Sequence, residues 1–129
     1  MGRYLLLVVA LAAAIVFVSD TAKAERRVAL VIGNAAYAHV AHLDNPPNDA
    51  AAIAETLGKL GFEVSRADDL GISAFLAALR DFGSAAARAD VAVLFYAGHG
   101  VEIDKQNYLV PVDARLAADR DVDFEAVPL

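Results

Sequence analysis

Blocks of apolar residues alternate with polar ones along this chain, and the spacing inside each block predicts strands and helices in turn. Residues 28–32 and 91–96 are unbroken runs of aliphatic and aromatic side chains, a pattern typical of strands that are buried on both faces. A shorter segment, residues 62–67, predicts another strand between them. The three segments together predict the centre of a sheet.

Between these segments the apolar residues recur at helical spacing, which predicts one helix in each gap. Asn48 or Asp49 is expected to cap the first helix, and Gly61 is expected to end it. Ser73 is expected to cap the second helix. The apolar positions are Ile53, Leu57 and Leu60 in the first helix, and Phe75, Leu76, Leu79 and Phe82 in the second.

The alternation of strands and helices predicts an α/β fold, in which right-handed crossovers join parallel strands and helices flank the sheet. After Gly100 the period changes, and residues 101–104 and 107–110 are expected to pair as a small β-hairpin across Lys105-Gln106. No internal repeat or linker marks a second domain. We therefore expect one domain over residues 25–129 with an open, mainly parallel sheet.

The first 24 residues have the features of a secretory signal peptide. Arg3 precedes an apolar run at residues 4–18, and Ala22-Lys23-Ala24 supplies small residues at a cleavage site after Ala24. The run is shorter than the roughly 20 residues that a membrane-spanning helix needs. We expect export to the periplasm or the medium, with no membrane association after cleavage.

The charge of the chain argues against nucleic acid as a partner. Its formal net charge is −6, and cleavage after Ala24 would remove two of 11 basic and one of 17 acidic residues. The mature chain would then hold 9 basic and 16 acidic residues, a net charge of −7. An acidic protein gains no binding energy from the release of phosphate counterions. The chain has no cysteine, so disulfides and thiolate metal sites are excluded within it.

His99 is the strongest candidate for chemistry. It follows the apolar run at 91–96, and active sites of open α/β sheets lie at the carboxyl ends of the strands. Gly98 and Gly100 on either side allow a tight turn and close approach of a ligand to the main chain. Histidine acts as a general acid or base near neutral pH. His39 and His42 lie in a polar loop and are expected to be exposed.

Several motifs in the same order resemble the front half of a bacterial caspase-like domain, the group that contains the metacaspases. The resemblance covers residues 27 to about 125 and implies the caspase-like, flavodoxin-like sheet, here as its histidine-bearing part. The matching segments are Ala29-Leu30-Val31-Ile32-Gly33-Asn34 with Tyr37, the stretch from Leu43 that ends in Asn48-Asp49-Ala50, Leu60-Gly61-Phe62-Glu63-Val64, Tyr96 to Gly100, and Asn107-Tyr108-Leu109-Val110-Pro111-Val112-Asp113.

The resemblance implies a cysteine endopeptidase with a His/Cys dyad that acts on polypeptides. It places His99 as the catalytic histidine and the backbone N–H of Gly100 as a donor to the oxyanion. For Asp49 two interpretations stay open. It stabilises the first turn of a helix, or it lines a substrate pocket for an Arg or Lys side chain, as the resemblance implies.

The chain departs from the family pattern because it contains no cysteine. By the spacing known for caspases, the nucleophile is expected beyond Leu129, so we expect a fragment of a longer reading frame. The alternative is a catalytically inactive caspase-like scaffold that binds peptides or proteins. The resemblance also places the strand at 91–96 beside the missing next strand, which would leave an unpaired apolar edge. We expect this edge to be covered by further chain of the same reading frame or by self-association.

No metal or cofactor site is predicted. Asp119, Asp121, Asp123 and Glu125 alternate as at the start of a calcium loop, but Phe124 occupies the position where an EF-hand needs glycine. A solvated acidic strand or turn is the better interpretation. Calcium stays open through the family resemblance alone, at an unspecified site. The Asp68-Asp69 pair fails as a magnesium pocket because neither neighbouring strand ends in an acceptor aspartate.

Overall fold

A computed structural model describes residues 23–129 of the chain. Residues 1–22, which hold nearly all of the expected signal peptide, lie outside the described residues, so export stays a prediction. Within residues 23–129, no helix combines the length and the apolar character needed to cross a membrane.

The first elements of the described chain are β1 (Arg27–Gly33), α1 (Pro46–Lys59), β2 (Glu63–Asp68), α2 (Ile72–Ala86) and β3 (Val91–Ala97). The three strands form a parallel sheet in the order β2-β1-β3. Two helices connect the strands, so the predicted α/β architecture is confirmed. Built at Gly33, a Cβ atom would lie 2.9 Å from Ala50 of α1, whereas Phe75 of α2 packs on Leu30 and Ile32. Because alternate strand residues face opposite sides, α1 and α2 cover opposite faces.

The main core lies between the parallel sheet and α2. Phe75 is fully buried, and its ring stacks on the ring of Tyr96 with 5.8 Å between centroids. The core extends into the last third of the chain, because Leu109 and Val127 belong to the same buried cluster. The parallel sheet and the segment after it are therefore packed as one unit.

Helix α1 starts earlier than the sequence predicts. Its first residue is Pro46, which tolerates this position because the first-turn N–H groups have no helical partner. Asn45 precedes it without a side-chain cap, and the backbone oxygen of Asn45 accepts the N–H groups of Asn48 and Asp49. Neither Asn48 nor Asp49 is the cap, so that expectation is wrong. Both lie inside the first turn.

Helix α2 is capped by a residue far away in the sequence. The helix begins at Ile72 after Gly71, so Ser73 lies within its first turn and the expected Ser73 cap is wrong. The Ile72 N–H instead donates to Oδ1 of Asp113 at 2.9 Å. A Cβ atom at Gly71 would come within 2.6 Å of that carboxylate, which explains the glycine. The Asp113 carboxylate replaces the missing local cap.

The predicted hairpin is present, with its turn one residue earlier than expected. Strands β4 (Gly100–Ile103) and β5 (Gln106–Leu109) are antiparallel, and β6 (Val127–Pro128) pairs with β5. Asp104 and Lys105 form the turn with φ of 51° and 66°. Positive φ at both residues is the geometry of a type I′ turn, which matches the twist of a hairpin.

The acidic segment near the end of the chain folds as a short turn followed by a single turn of helix, so of the two expected forms the strand is wrong. A 3₁₀ turn covers Asp119–Asp121, and helix α3 covers Val122–Glu125. Oε2 of Glu125 accepts the N–H groups of Arg115 and Leu116 at 2.8 and 2.7 Å. The Glu125 side chain therefore fixes the backbone at Arg115 and Leu116.

Strand β3 lies at one edge of the parallel sheet. Within residues 23–129 it pairs with β1 alone, as the family resemblance implies. The apolar run at 91–96 predicts burial on both faces, and that expectation is wrong within the described residues: no residue of β3 is fully buried, because β3 stands at the edge, where the rest of the fold covers it only in part. Leu94, in the middle of β3, keeps 41% of its surface exposed, and the strand carries no charged side chain. This uncharged edge is a surface that another strand can pair with.

Candidate active site

The candidate site lies where β1 and β3 end at the carboxyl edge of the sheet. The Asn34 N–H donates to the Ala97 oxygen at 2.8 Å, which joins the two loops that leave these strands. His99 stands two residues after β3 ends, and Gly100 begins β4. The sequence therefore predicted correctly where His99 lies in the fold.

The His99 imidazole is half buried and held on two sides. Its Nε2 atom lies 2.7 Å from the backbone oxygen of Ala41, and its ring centroid is 4.6 Å from that of Tyr37, tilted by 59°. A carbonyl oxygen can only accept, so Nε2 carries the hydrogen. In the neutral ring Nδ1 is then the unprotonated nitrogen. The imidazole is thus a base with its accepting nitrogen defined.

Two tyrosines contact the main chain of His99. The Tyr37 hydroxyl accepts the His99 N–H at 2.8 Å, and the Tyr96 hydroxyl donates to the His99 oxygen at 2.7 Å. Burial, followed by the Tyr37 hydroxyl, raises the pKa of Tyr96 far above its usual value. The Tyr96 hydroxyl therefore keeps its proton and stays a donor at any ordinary pH.

The Gly100 N–H points away from the hairpin. The Val110 N–H donates to the His99 oxygen at 3.0 Å, and Gly100 pairs with Leu109 in the antiparallel register. This pattern makes Gly100 and Leu109 a pair without mutual hydrogen bonds, whose N–H groups face outward from the ladder. Gly100 is exposed. Its N–H is therefore not used in the pairing of β4 with β5.

Asn34 ties three loops together behind the site. Its side chain is completely buried, and its Oδ1 accepts the Leu70 N–H at 2.9 Å. Its Nδ2 faces the oxygens of Leu70 and Val110 at 3.4 Å each. The loops after β1, β2 and β5 therefore share one amide, which the sequence showed only as part of a motif.

Asp69 fixes the start of the loop that reaches His99. Its Oδ1 accepts the N–H groups of Ala35 and Ala36 at 2.9 Å each, and its φ is 54°. The two backbone N–H groups hold the pKa of Asp69 below its usual value, Ala36 contributing most. Asp69 thus serves loop structure, whereas Asp68 forms an ion pair with Arg66 at 2.8 Å within β2.

Asp49 lies on the same edge of the sheet as His99 but on a different element. It is exposed in the first turn of α1. A Cβ atom at Gly33 would lie 2.7 Å from the Pro46 oxygen, so this end of α1 is beside the carboxyl end of β1. The arrangement allows both uses considered for Asp49, in the helix turn and toward a ligand.

The remaining candidates do not form a site. Over residues 23–129, no group of three or more His, Asp or Glu side chains is placed to hold a metal ion. His39 and His42 are exposed, as expected, and Nδ1 of His42 lies 3.8 Å from Asp44.

Sequence reasoning missed the partners of the candidate histidine. Tyr37 and Tyr96 stood in the matching motifs without an assigned role, and Ala41 stood in none. An alanine that acts through its carbonyl leaves no signal in the sequence. The two tyrosines could have been suspected. A buried hydroxyl needs a hydrogen-bond partner, and each of their motifs also holds a turn whose backbone N–H and C=O groups need partners.

Comparison with known proteins bears on the family of this chain. The sequence model of the caspase domain family matches residues 26–126. A human protein, mucosa-associated lymphoid tissue lymphoma translocation protein 1, is 33% identical over 96 residues, which is 74% of this chain. The chain spans 12% of the length of that relative. Because the family model matches most of the length of this chain, the chain belongs to the caspase domain family.

Proposed function

We propose that this domain supplies the acid–base histidine of a caspase-like cysteine endopeptidase. One observation carries the proposal: the His99 imidazole stands at the carboxyl edge of the sheet with Nε2 bound to the Ala41 oxygen. Nδ1 is left as the nitrogen that exchanges protons. The cysteine of the dyad is not among the 129 residues, and we propose that it is supplied from outside this sequence.

The proposed reaction divides peptide hydrolysis into two steps. A cysteine thiolate attacks the scissile carbonyl carbon, and a C–S bond forms while the carbonyl oxygen becomes an oxyanion. The Gly100 N–H donates to that oxyanion. The His99 imidazolium gives its proton to the amine nitrogen as the C–N bond breaks. Water then attacks the thioester carbonyl while neutral His99 takes one of its protons. The C–S bond breaks, the acid product leaves and loses its proton to solvent as a carboxylate, and the thiolate and the His99 imidazolium are restored. No cofactor takes part.

An amidase assay tests this proposal. The substrates are fluorogenic peptides that end in Arg, Lys or Asp, and the proteins are this chain and the product of the whole reading frame. We expect this chain to show no turnover, because nothing in it serves as the nucleophile. We expect turnover from a product that contains the cysteine. A cysteine-containing product that folds and cleaves none of a broad peptide library would contradict the proposal.

The alternative, a caspase-like module that binds peptides without cleaving them, has one fact in its favour. The chain holds no cysteine. The same assay distinguishes the two functions, because a reading frame without a cysteine codon downstream would give a product that binds peptides and never cleaves them. The intact mass of the natural protein decides the point independently.

We propose further that Asp49 contacts a basic side chain of the substrate. Asp49→Asn is expected to weaken the binding of an Arg-terminated peptide about 2- to 5-fold, the size of an exposed ion pair. Titration of this chain with peptides, followed by calorimetry, measures the change. Asp81→Asn on α2 is the control, and a norleucine-terminated peptide should bind equally to all three proteins. Equal loss for Arg and norleucine peptides would argue for the helix-turn role alone.

The β3 edge is proposed to mediate self-association of this chain. Its uncharged strand and the exposed Leu94 favour pairing with a second copy. Leu94→Lys is expected to raise the dimer dissociation constant about 10-fold or more, because a charge on an edge opposes pairing. Sedimentation velocity measures it, with Leu60→Lys at the exposed end of α1 as control. A chain that stays monomeric at every concentration would exclude the interaction.

A further inference from the structure

The hydrogen bonds around His99 form one connected set. The His99 N–H donates to the Tyr37 hydroxyl at 2.8 Å, and the hydroxyls of Tyr37 and Tyr96 are 3.1 Å apart. The Tyr96 hydroxyl lies 2.7 Å from the His99 oxygen and 3.1 Å from the Val110 oxygen. Two side chains from β3 and from the loop after β1 thus contact both ends of one residue.

The direction of each bond in this set is determined. A hydroxyl has one hydrogen and a carbonyl oxygen can only accept, so the Tyr96 hydrogen goes to the carbonyl side. The bond between the two hydroxyls must then be donated by Tyr37. Tyr37 accepts in turn from the His99 N–H. The chain of donors therefore runs from the His99 N–H through Tyr37 and Tyr96 and returns to the His99 oxygen.

Gly98 provides the space that these hydroxyls occupy. A Cβ atom on Gly98 would lie 2.5 Å from the Tyr96 hydroxyl oxygen and 2.6 Å from that of Tyr37. Real Cβ atoms do not approach other atoms so closely. The hydroxyls thus stand where a side chain of residue 98 would be, and any larger residue would displace them.

The same bonds determine the direction of the Gly100 N–H. The His99 carbonyl and the Gly100 N–H belong to one planar peptide unit, in which they point in opposite directions. Tyr96 and the Val110 N–H both donate to that carbonyl, at 2.7 and 3.0 Å. Fixing the carbonyl therefore fixes the N–H.

We propose that Tyr37 and Tyr96 are positioning residues of the active site. Tyr37 accepts the hydrogen bond of the His99 N–H and packs beside the imidazole ring. Tyr96 donates to the His99 oxygen, which fixes the plane of the peptide unit and with it the direction of the Gly100 N–H. The inference rests on the proposed function for the roles of His99 and Gly100. The test measures the hydrogen bonding of His99 and Gly100 directly. The inference can therefore be confirmed or contradicted without any measurement of peptide cleavage.

The test compares Tyr37→Phe and Tyr96→Phe by NMR with Tyr108→Phe as control, since Tyr108 lies on β5 outside this set of bonds. In Tyr37→Phe the His99 amide loses its acceptor, and we expect its hydrogen exchange to rise about 3- to 10-fold. In Tyr96→Phe we expect the ¹⁵N resonance of Gly100 to shift and its exchange to rise. The imidazole ¹⁵N resonances report whether the Nε2–H form is kept.

If Tyr37 and Tyr96 served only the stability of the fold, their variants would have a lower melting temperature. The amide signals of His99 and Gly100 would then be the same as in Tyr108→Phe. If His99 and Gly100 behave alike in all three variants, the proposal is wrong. Should either variant fail to fold, the unmodified chain decides. We expect slowly exchanging hydroxyl protons on Tyr37 and Tyr96, with a nuclear Overhauser effect from the Tyr37 hydroxyl to the His99 amide. Absence of both hydroxyl resonances at low temperature would overturn the inference.

Discussion

Replacing His99 with alanine in a cysteine-containing product of the reading frame is expected to lower kcat/KM for peptide hydrolysis about 10²- to 10⁴-fold. The reason lies in the proton that the leaving amine must receive, because an amine anion leaves poorly. His99 is the group placed to give that proton, with Nε2 fixed by the Ala41 oxygen at 2.7 Å. Steady-state kinetics on a fluorogenic Arg or Lys peptide measure the change.

His39→Ala is the matched control for this substitution. His39 is exposed in the loop after β1, and its loss should leave kcat/KM unchanged. Circular dichroism should show that both variants stay folded, since His99 is only half buried. Turnover by the cysteine-free chain that disappears with His99→Ala would contradict our account of the nucleophile. Undiminished turnover in the cysteine-containing variant would remove His99 from the mechanism.

Phe75→Ala is expected to have the largest effect on folding, a loss of about 3–5 kcal/mol in the free energy of unfolding. Phe75 is fully buried between α2 and the sheet, beside Leu30 and Ile32. Its removal leaves a cavity under the Tyr96 ring, which stacks on it at 5.8 Å. Urea unfolding followed by circular dichroism measures the loss as a lower midpoint at an unchanged slope.

The neighbouring residue provides the comparison. Leu76 is the next residue of α2, but 46% of its surface is exposed. Leu76→Ala should therefore cost about 1 kcal/mol or less, because little apolar surface returns to water. Similar losses for the two variants would mean that α2 does not pack on the sheet by the face that holds Phe75.

The order of elements in the parallel sheet was predictable because the hydrophobic period distinguishes strands from helices. Burial was predictable for β1 but not for β3, which lies at the sheet edge with no fully buried residue. The runs at 28–32 and 91–96 are strands, and three members of the predicted α2 stripe, Phe75, Leu79 and Phe82, pack in the core. The fourth member, Leu76, was expected on the same face and is 46% exposed instead.

The helix starts were predicted wrongly, although a proline at the first position of α1 is a signal that the sequence carries. α1 begins at a proline without a side-chain cap, and the cap of α2 comes from Asp113. Local sequence carries no record of a partner that tertiary structure brings from elsewhere.

The position of the candidate site was predictable, but its internal contacts were not. His99 and Gly100 could be placed because a histidine between glycines after a buried strand is a local pattern. The partners of His99 are a backbone oxygen of Ala41 and the hydroxyls of Tyr37 and Tyr96, which meet only after the loops fold. The exact position of the turn at Asp104 and Lys105 was not predicted, because lysine rarely adopts the positive φ that Lys105 has here.

The contact between Asp113 and the first turn of α2 bears on how the chain folds while it is being synthesised. Ile72 and Asp113 are 41 residues apart, so a ribosome releases the helix well before the carboxylate that completes it. During that interval the Ile72 N–H, in the first turn of α2, can donate a hydrogen bond only to water. The nascent sheet is therefore expected to gain its full protection from proteases only when the segment that follows β5 has emerged.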